Sequence, residues 1–594
     1  SFPTRRSSDL WVKGRHTMKF GFDARRLEYR SVEHFPPEDD FGQFTFNQGA
    51  FTGNALGDLL LGLPASTLFA TTGPDLVSPT THYGFYAQDE FRVTPRLTVS
   101  YGLRYELHLP FTEKNGNISN FDRLTNSVIV PDHTLPASQG FLYSINACPG
   151  YVASLPCSKI ITASQAHLGE GLRKTYFGNY DPRISIAYRP FGDSRTVVRA
   201  GFGIFTMSNT GASSYTLTGI HTADTEFFQN FQGPGIAPLY QFPKAYAGAS
   251  LASVGSGEFI VAEDPYLRDP ESAQWNVTVE RQLPADYTVR ASYIGMNSYR
   301  LPGLLNLNQV RPSTTAYDPS RKPYQNWDQV LSLDNVAFAN YQAFQLQLDH
   351  RFGHGLFFQA SYTLAKNLTN AEGTAPSGFP AEYGSFFSDR FNTRNDRGND
   401  FGTRRHRVLV SGIYQIPAGR GQRYLSNARG FVDALLGGWK LSTVSLFETG
   451  PYETPTISAS LEQANINAAA SGMAVRPDRR GNGNLANPTP GDWFDINAFV
   501  ATSAGAGRVG NAGVGILEGP GTVTVAGGLA KEFPIREFGK LRFEASFTNL
   551  FNHPNFAPPQ TNISVPSTFG VTTTVQTAEN SGNRVGQVAL RLEF

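Results

Sequence analysis

The chain has 594 residues with 50 Lys and Arg against 49 Asp and Glu; a net charge of +1 excludes a phosphate-binding surface as its main business, so nucleic acid is not an expected partner. Charged residues are only 17% while aromatics reach 13%, and 59 Gly with 38 Pro supply many turns, a balance that points to an all-β protein. No apolar run approaches the ~18 residues of a membrane-spanning helix, the longest notable one being Leu59-Leu60-Leu61-Gly62-Leu63-Pro64, which excludes a helical membrane protein.

Residues 1–10, SFPTRRSSDL, read like translated sequencing-adaptor sequence and are set outside the fold as a non-native leader, leaving 11–594 as the folded domain. No charged region followed by an apolar core opens the chain, so no export signal is visible: the protein is cytosolic or its start is missing.

Alternating segments are predicted first at 16–28, 82–93 and 97–109. The last is the most informative: Leu97, Val99, Tyr101, Leu103, Tyr105, Leu107 and Leu109 alternate without error against Thr98, Ser100, Gly102, Arg104, Glu106 and His108. Period two means a strand with one apolar and one polar face, and at ~3.3 Å per residue with ~45° tilt this length crosses the hydrocarbon core of a bilayer. A soluble sandwich strand is only ~5–6 residues long. The link 110–182 holds the only two cysteines, Cys148 and Cys157. They close a loop disulfide in an oxidising compartment or stay as two thiols, and they are too few for a four-ligand zinc site.

Segments follow at 183–189 and 196–206, then a link whose Phe227, Phe228, Phe231, Tyr240 and Tyr246 either stack on sugars or peptides or pack the link itself. Beyond 275–283 and 287–296 comes a second clear pair, 343–352 and 356–366. Phe344, Leu346 and Leu348 oppose Gln345, Gln347 and Asp349, and Leu356, Phe358, Ala360, Tyr362 and Leu364 oppose Gln359, Ser361 and Thr363. His350 and His354 lie four apart, but Gly353 and Gly355 make this a turn, so a helical zinc pair fails. The next link carries Asp389, Arg390, Arg394, Asn395, Asp396, Arg397, Asn399 and Asp400, which either bind a substrate or Ca²⁺ or form a solvated network of alternating sign.

After 406–416 and 439–449, Gly505, Gly507 and Gly510 fit G-x-G-x-x-G, yet the match neither follows a strand nor opens a helix; a glycine-rich loop is the expectation, not a cofactor site. Segments 522–533, 540–551 and 584–594 complete the set of about fourteen. Leu541, Phe543, Ala545 and Phe547 alternate with Lys540, Arg542, Glu544 and Ser546, and the last segment places Val588, Leu590, Leu592 and the terminal Phe594 on one face. Neither H-E-x-x-H nor G-x-S-x-G occurs. No enzyme, metal or cofactor is expected.

Links alternate between short (94–96, 190–194, 284–286, 353–355, 534–539) and long (110–182, 207–274, 297–342, 367–405, 450–521), with 417–438 the one long link on the short side. That alternation is the mark of an outer-membrane barrel with short periplasmic turns and long external loops. The predicted fold is therefore all-β, a transmembrane antiparallel β-barrel. Its lumen-facing candidates are Arg104, Glu106, His108, Gln345, Gln347, Arg542 and Glu544, while Leu103, Tyr105, Leu346, Phe358 and Phe543 face lipid. Asp89, Arg281 and His350 fall on the apolar face near short turns, where a charge costs far less than the ~2–4 kcal/mol of Arg or Lys at the midplane; a strand mis-registered by one residue is the alternative.

The stretches GRHTMKFGFDARR (14–26), NALGDLLLGLP (54–64), YGFYAQDEFRVTPRLTVSYGLRYE (83–106), DPRISIAYRPFGDSRTVVRAGFGIF (181–205), QWNVTVERQLP (274–284), RRHRVLVSGIYQIP (404–417), LLGGWKLSTVSLFETG (435–450), GRVGNAGVGILEGPG (507–521) and EASFTNLFNHPNF (544–556) resemble, in order and spacing, the barrel of Oar-like TonB-dependent receptors. The resemblance implies an outer-membrane receptor that binds a large or scarce ligand at external loops and passes it through a plug-gated lumen. It also implies about twenty-two strands, so the chain reads as a C-terminal fragment, with plug, TonB-contacting segment and signal peptide absent. The terminal Phe594 resembles the signal read by the outer-membrane insertion machinery. The implied partners are outer-membrane lipid, that machinery, the TonB complex through the plug, and an unidentified ligand. A passive porin-like or adhesin-like barrel is the alternative; a soluble propeller would need a ~40–50 residue repeat, which is not seen.

Overall fold

A computed structural model describes residues 5–31, 43–46, 51–70, 76–133, 159–209, 217, 225–230, 237–238, 240–242, 259–325, 327, 329–353, 355–371, 387–466, 475–535, 539–577 and 581–594. Among them, fifteen long strands form one meander: β1 (Arg5–Lys13), β2 (His16–Ser31), β3 (Leu76–Thr94), β4 (Leu97–His108), β5 (Asn179–Tyr188), β6 (Thr196–Thr206), β7 (Glu271–Gln282), β8 (Tyr287–Asn306), β9 (Gln329–Gly353), β10 (Leu356–Thr369), β11 (His406–Gln415), β12 (Trp439–Glu448), β13 (Thr522–Ile535), β14 (Gly539–Thr548) and β15 (Val585–Glu593). Each pairs antiparallel with the next in chain order. No ladder joins β1 to β15 among the described residues, so the sheet is open at these two edges.

Serial pairing follows from the links. Two-residue turns allow only an antiparallel neighbour, and their backbone must twist with the strands. Between Lys13 and His16 the first turn residue, Gly14, has φ +60, a conformation that a Cβ disfavours. The turn from β7 to β8 bends through Ala285 and Asp286, both at positive φ.

Register carries each face from strand to strand. One row runs Tyr101, Ile184, Phe202, Trp275 across β4 to β7, and a row on the other face runs Ser292, Gln345, Thr363, Arg407, Glu448 across β8 to β12. The apolar face is left open by the protein: Leu103 is 47% exposed, Phe344 43% and Val588 66%.

One expectation is corrected. Arg5–Leu10, set outside the fold by their composition, lie in β1 and pair residue for residue with β2, Asp9 opposite Phe20 and Leu10 opposite Lys19. An uncovered strand edge presents free N–H and C=O groups that any extended segment can satisfy. The other strands lie at the segments that alternation places, but the link expected at 297–342 is largely strand: β8 runs on to Asn306 and β9 begins at Gln329, because the two extend their pairing past the alternating segments. Asp89, Arg281 and His350 sit beside short turns with partners: Asp89 Oδ2 accepts from the Tyr101 hydroxyl at 2.9 Å and lies 2.7 Å from His16 Nδ1. Arg281 donates to Thr196 Oγ1 at 2.9 Å, and His350 Nδ1 lies 3.0 Å from the Leu356 carbonyl.

The buried core lies outside this wall. β8 and β9 are 20 and 25 residues long, and at ~3.3 Å per residue β9 far exceeds the ~30 Å of bilayer hydrocarbon. Their projecting halves carry Phe259–Glu263 in parallel against residues 329–333, beside a small sheet of Asn120–Asp122, Ser127–Val130 and Lys159–Thr162. Phe121, Val128, Ile260, Trp327, Val330 and Phe387 close one core there; Phe111, Ile118, Ile129 and Leu172 close another. A third and a fourth form around Ile457 and Ile466 and around Phe494 and Phe569. The long links thus fold as a layer at one end of the wall. At the other end, residues 416–438 carry a short helix, Phe431–Leu436.

Candidate functional site

The densest polar arrangement is on the charged face of β2 to β5, where the wall meets the loop layer. Arg104 Nη2 donates to Asp23 Oδ2 at 2.8 Å, and its Nε donates to Glu106. Glu106 Oε2 lies 3.0 Å from His108 Nε2, and His108 Nδ1 lies 2.8 Å from Asp269 Oδ2, which also accepts from Asn179 Nδ2 at 2.8 Å. Period two places Arg104, Glu106 and His108 on one face of β4. Pairing supplies the rest: Gly84 stands between Asp23 and Glu106 in the register, and a Cβ there would lie 2.5 Å from Arg104 Nη2 and 2.8 Å from Asp23 Oδ2. A side chain at 84 would displace the ends of both partners of this ion pair.

Asp269, just outside β7, is nearly closed to solvent. Burial alone would raise its carboxyl, but the contact and charge of His108, with Arg173 and Asn179, hold it below the usual carboxylate range. The chain of groups therefore ties β2, β4 and β5 to the loop layer. It offers fixed donors and acceptors and no nucleophile with an adjacent base. Beside it, a cavity of about 690 Å³ opens along β3 to β7 where Gly102, Gly201 and Gly203 lack side chains, with Arg183, Gln274 and Asn276 on its polar side.

The other predicted lumen residues are placed in separate clusters on the same face. Gln347 accepts from Arg290 Nη1 at 3.4 Å and donates to Asp349 at 2.9 Å, and Arg290 pairs with Glu280 at 2.8 Å. Gln345 faces Ser292 and Thr363 across its two ladders. Arg542 pairs with Glu544, beside a cluster in which Lys540 reaches Glu532 at 3.4 Å and Glu593 at 3.2 Å. Leu103, Tyr105, Leu346, Phe358 and Phe543 all belong to the opposite face by register. Phe594 follows β15 and is 98% exposed. Cys148, Cys157, Phe231, Tyr246 and His354 lie outside the described residues.

In the loop layer the acidic and basic cluster is a hydrogen-bonded network. Asp396 Oδ2 accepts from the Ser388 N–H at 2.9 Å, and Asp396 Oδ1 pairs with Arg476 at 2.9 Å; burial raises this carboxyl against the Arg476 charge. Asp389 accepts from the Phe391 N–H at 2.8 Å, and Asp400 from Thr403 Oγ1 at 2.7 Å. Tyr240 is buried, and its hydroxyl accepts from Thr67 Oγ1 at 2.8 Å, a packing role. At the rim above β12, Glu453 is pushed up to about 7 by burial, with Arg404 opposing, and its Oε1 has no hydrogen-bond partner among the described residues. Asp23, Asn179, Asp269 and Glu453 escape sequence reasoning because no local pattern marks them; each acquires its role from a pairing or a packing contact far along the chain.

Three solved structures resemble this one, each at low identity. They are the outer membrane transporter YddB from Escherichia coli (9% identity, TM-score 0.49, covering 99% of this chain and 53% of that one), the FrpB iron transporter from Neisseria meningitidis (10%, 0.40, 99% and 55%) and the siderophore receptor PiuA from Acinetobacter baumannii (9%, 0.43, 99% and 55%). The chain spans about half the length of each. No protein with a curated description matches it. Residues 8–587 match the profile of the family described as outer membrane beta barrel domain. With that match over nearly all of its length, an apolar face open along fifteen strands and a charged face behind it, the chain belongs to the outer membrane β-barrel domain family and resides in the outer membrane.

Proposed function

We propose that this chain is the C-terminal part of the barrel of an Oar-like TonB-dependent receptor that takes up a large or scarce ligand. In this reading Arg104, Glu106, His108, Gln345, Gln347, Arg542 and Glu544 face a water-filled lumen, the long links face the cell exterior and the short turns the periplasm. About eight strands complete the barrel between β15 and β1, and a plug with a TonB-contacting segment is encoded upstream. Cys148 and Cys157 form a loop disulfide, and Phe594 is the insertion signal. The protein transports and does not catalyse.

The observation that carries the reading is the pairing of a charged face with a loop layer that has its own buried cores. A passive channel needs only the first; a receptor also needs a shaped, rigid outer surface to select its ligand. The test is the gene upstream of Trp11. An open reading frame continuing into further strands, a plug and a signal peptide is the expected result. A start codon and export signal at the present N-terminus would overturn it and leave a passive porin-like or adhesin-like barrel.

A further inference from the structure

Residues 416–438 depart from the short turns on their side of the wall, and what they carry is apolar and basic. Tyr424 is 58% exposed, Leu425 48%, Phe431 79%, Val432 48%, Leu435 52% and Leu436 47%. A water-facing end of a protein rarely exposes so many large apolar side chains within one short segment. Arg420, Arg423 and Arg429 are exposed on the same segment, and none has a carboxylate within ion-pair distance among the described residues. The segment's one acidic residue, Asp433, accepts from the Arg420 backbone N–H at 2.6 Å.

A second observation points to the same place from the wall. Trp439, the first residue of β12, donates from Nε1 to the Leu435 carbonyl at 2.8 Å, which holds the helix Phe431–Leu436 against the rim. Trp439 is opposite Lys531, and Lys531 opposite Phe543, on the apolar face. Lys531 is only 3% exposed, and its Nζ has no hydrogen-bond partner among the described residues; it lies 5.3 Å from the Trp439 ring centre and 5.0 Å from that of Phe533. Ring faces offset only part of the cost of removing an ammonium from water, so the lipid side of the rim holds a cation without its counter-charge. Asp433 acts on it only at longer range.

We propose that residues 419–438 together with Lys531 form a foot that docks on anionic phospholipid headgroups of the periplasmic leaflet. Phe431, Val432, Leu435 and Leu436 enter the acyl boundary, as the apolar side of an interfacial helix does, and Arg420, Arg423 and Arg429 meet the phosphates. The Lys531 stem is long enough to swing its ammonium from between the rings to the same level. Lipid is the occupant because Trp439 joins the helix to the apolar face of the wall and because Arg420, Arg423, Arg429 and Lys531 set four cations against the single carboxylate of Asp433. The inference rests on the proposed orientation, with short links in the periplasm.

The test places an environment-sensitive fluorophore on Phe431→Cys in the full-length receptor, with Cys148→Ser and Cys157→Ser, reconstituted in phosphatidylglycerol/phosphatidylcholine vesicles. Quenching several-fold stronger by a lipid-borne nitroxide than by iodide is expected. A triple variant, Arg423→Gln, Arg429→Gln, Lys531→Gln, should copurify with several-fold less phosphatidylglycerol while keeping heat-modifiable mobility in gels, a sign that the barrel still folds. Efficient iodide quenching, or unchanged phosphatidylglycerol retention, would overturn the proposal and leave the foot free for a periplasmic protein. Labelling of the Phe431→Cys thiol in intact cells by an impermeant maleimide would overturn it separately, through the orientation.

Discussion

The wall and the loop layer solve opposite burial problems with the same residue types. In the wall, Phe344 is 43% exposed and Leu346 42%, and the polar residues share the opposite face of the sheet; in the loop layer, Phe121 is 1% exposed, Ile260 0% and Trp327 3%. An apolar side chain needs a solvent as apolar as itself. Lipid supplies it to the wall and folded protein supplies it to the loops, so the wall needs no core of its own and the loop layer cannot stand without one.

The largest expected effect that separates the two regions is in the loop core. In the full-length protein Trp327→Ala should cost about 3–5 kcal/mol there and expose the layer to limited proteolysis, while the wall keeps its heat-modifiable mobility; loss of both together would show that they are one cooperative unit. Leu346→Arg should destabilise the wall by ~2–4 kcal/mol, whereas Gln345→Arg one residue away should change it little, as read by urea unfolding in lipid vesicles. Equal effects would place both residues at the same surface.

The junction between the regions is sharper still as a probe. Arg104→Ala leaves Asp23 and Glu106 without their shared cation, a loss of about 2–3 kcal/mol for a partly buried pair, and Gly84→Val should match it because a side chain at 84 occupies the space of the same contact. Hydrogen exchange should rise at the β2–β4 end next to the loops and not at the short turns. The smallest effect is pH-dependent. Glu453 is raised to about 7 in the fold, above its unfolded value, so the folded state binds more protons between the two values; its ionisation destabilises the loop layer progressively as pH rises through that window. Glu453→Gln should therefore stabilise the layer at pH 8 by on the order of 2 kcal/mol and have no effect at pH 4, measured by the midpoint of loop proteolysis.

The strands were legible because alternation is local. Leu97 to Leu109 declare two faces whatever their neighbours are, and fourteen of the fifteen wall strands lie at the alternating segments. β1 was missed because Ser1–Leu10 read like translated adaptor sequence and were set aside, whereas Arg5–Leu10 pair with the edge of β2. The helix at Phe431–Leu436 was visible only as an over-long link.

By itself, the sequence determined the period, and with it which residues of a strand share a face and that the apolar side of each requires an apolar solvent. Tertiary structure alone decided which faces meet: that Gly84 opens a path from Arg104 to Asp23, that His108 finds Asp269 from a loop 161 residues away, that Glu453 loses its water, and that Lys531 lies between two rings with the apolar foot beside it. A period of two is written in adjacent residues, whereas register, burial and long-range charge contact depend on the positions of chain segments that no local pattern encodes.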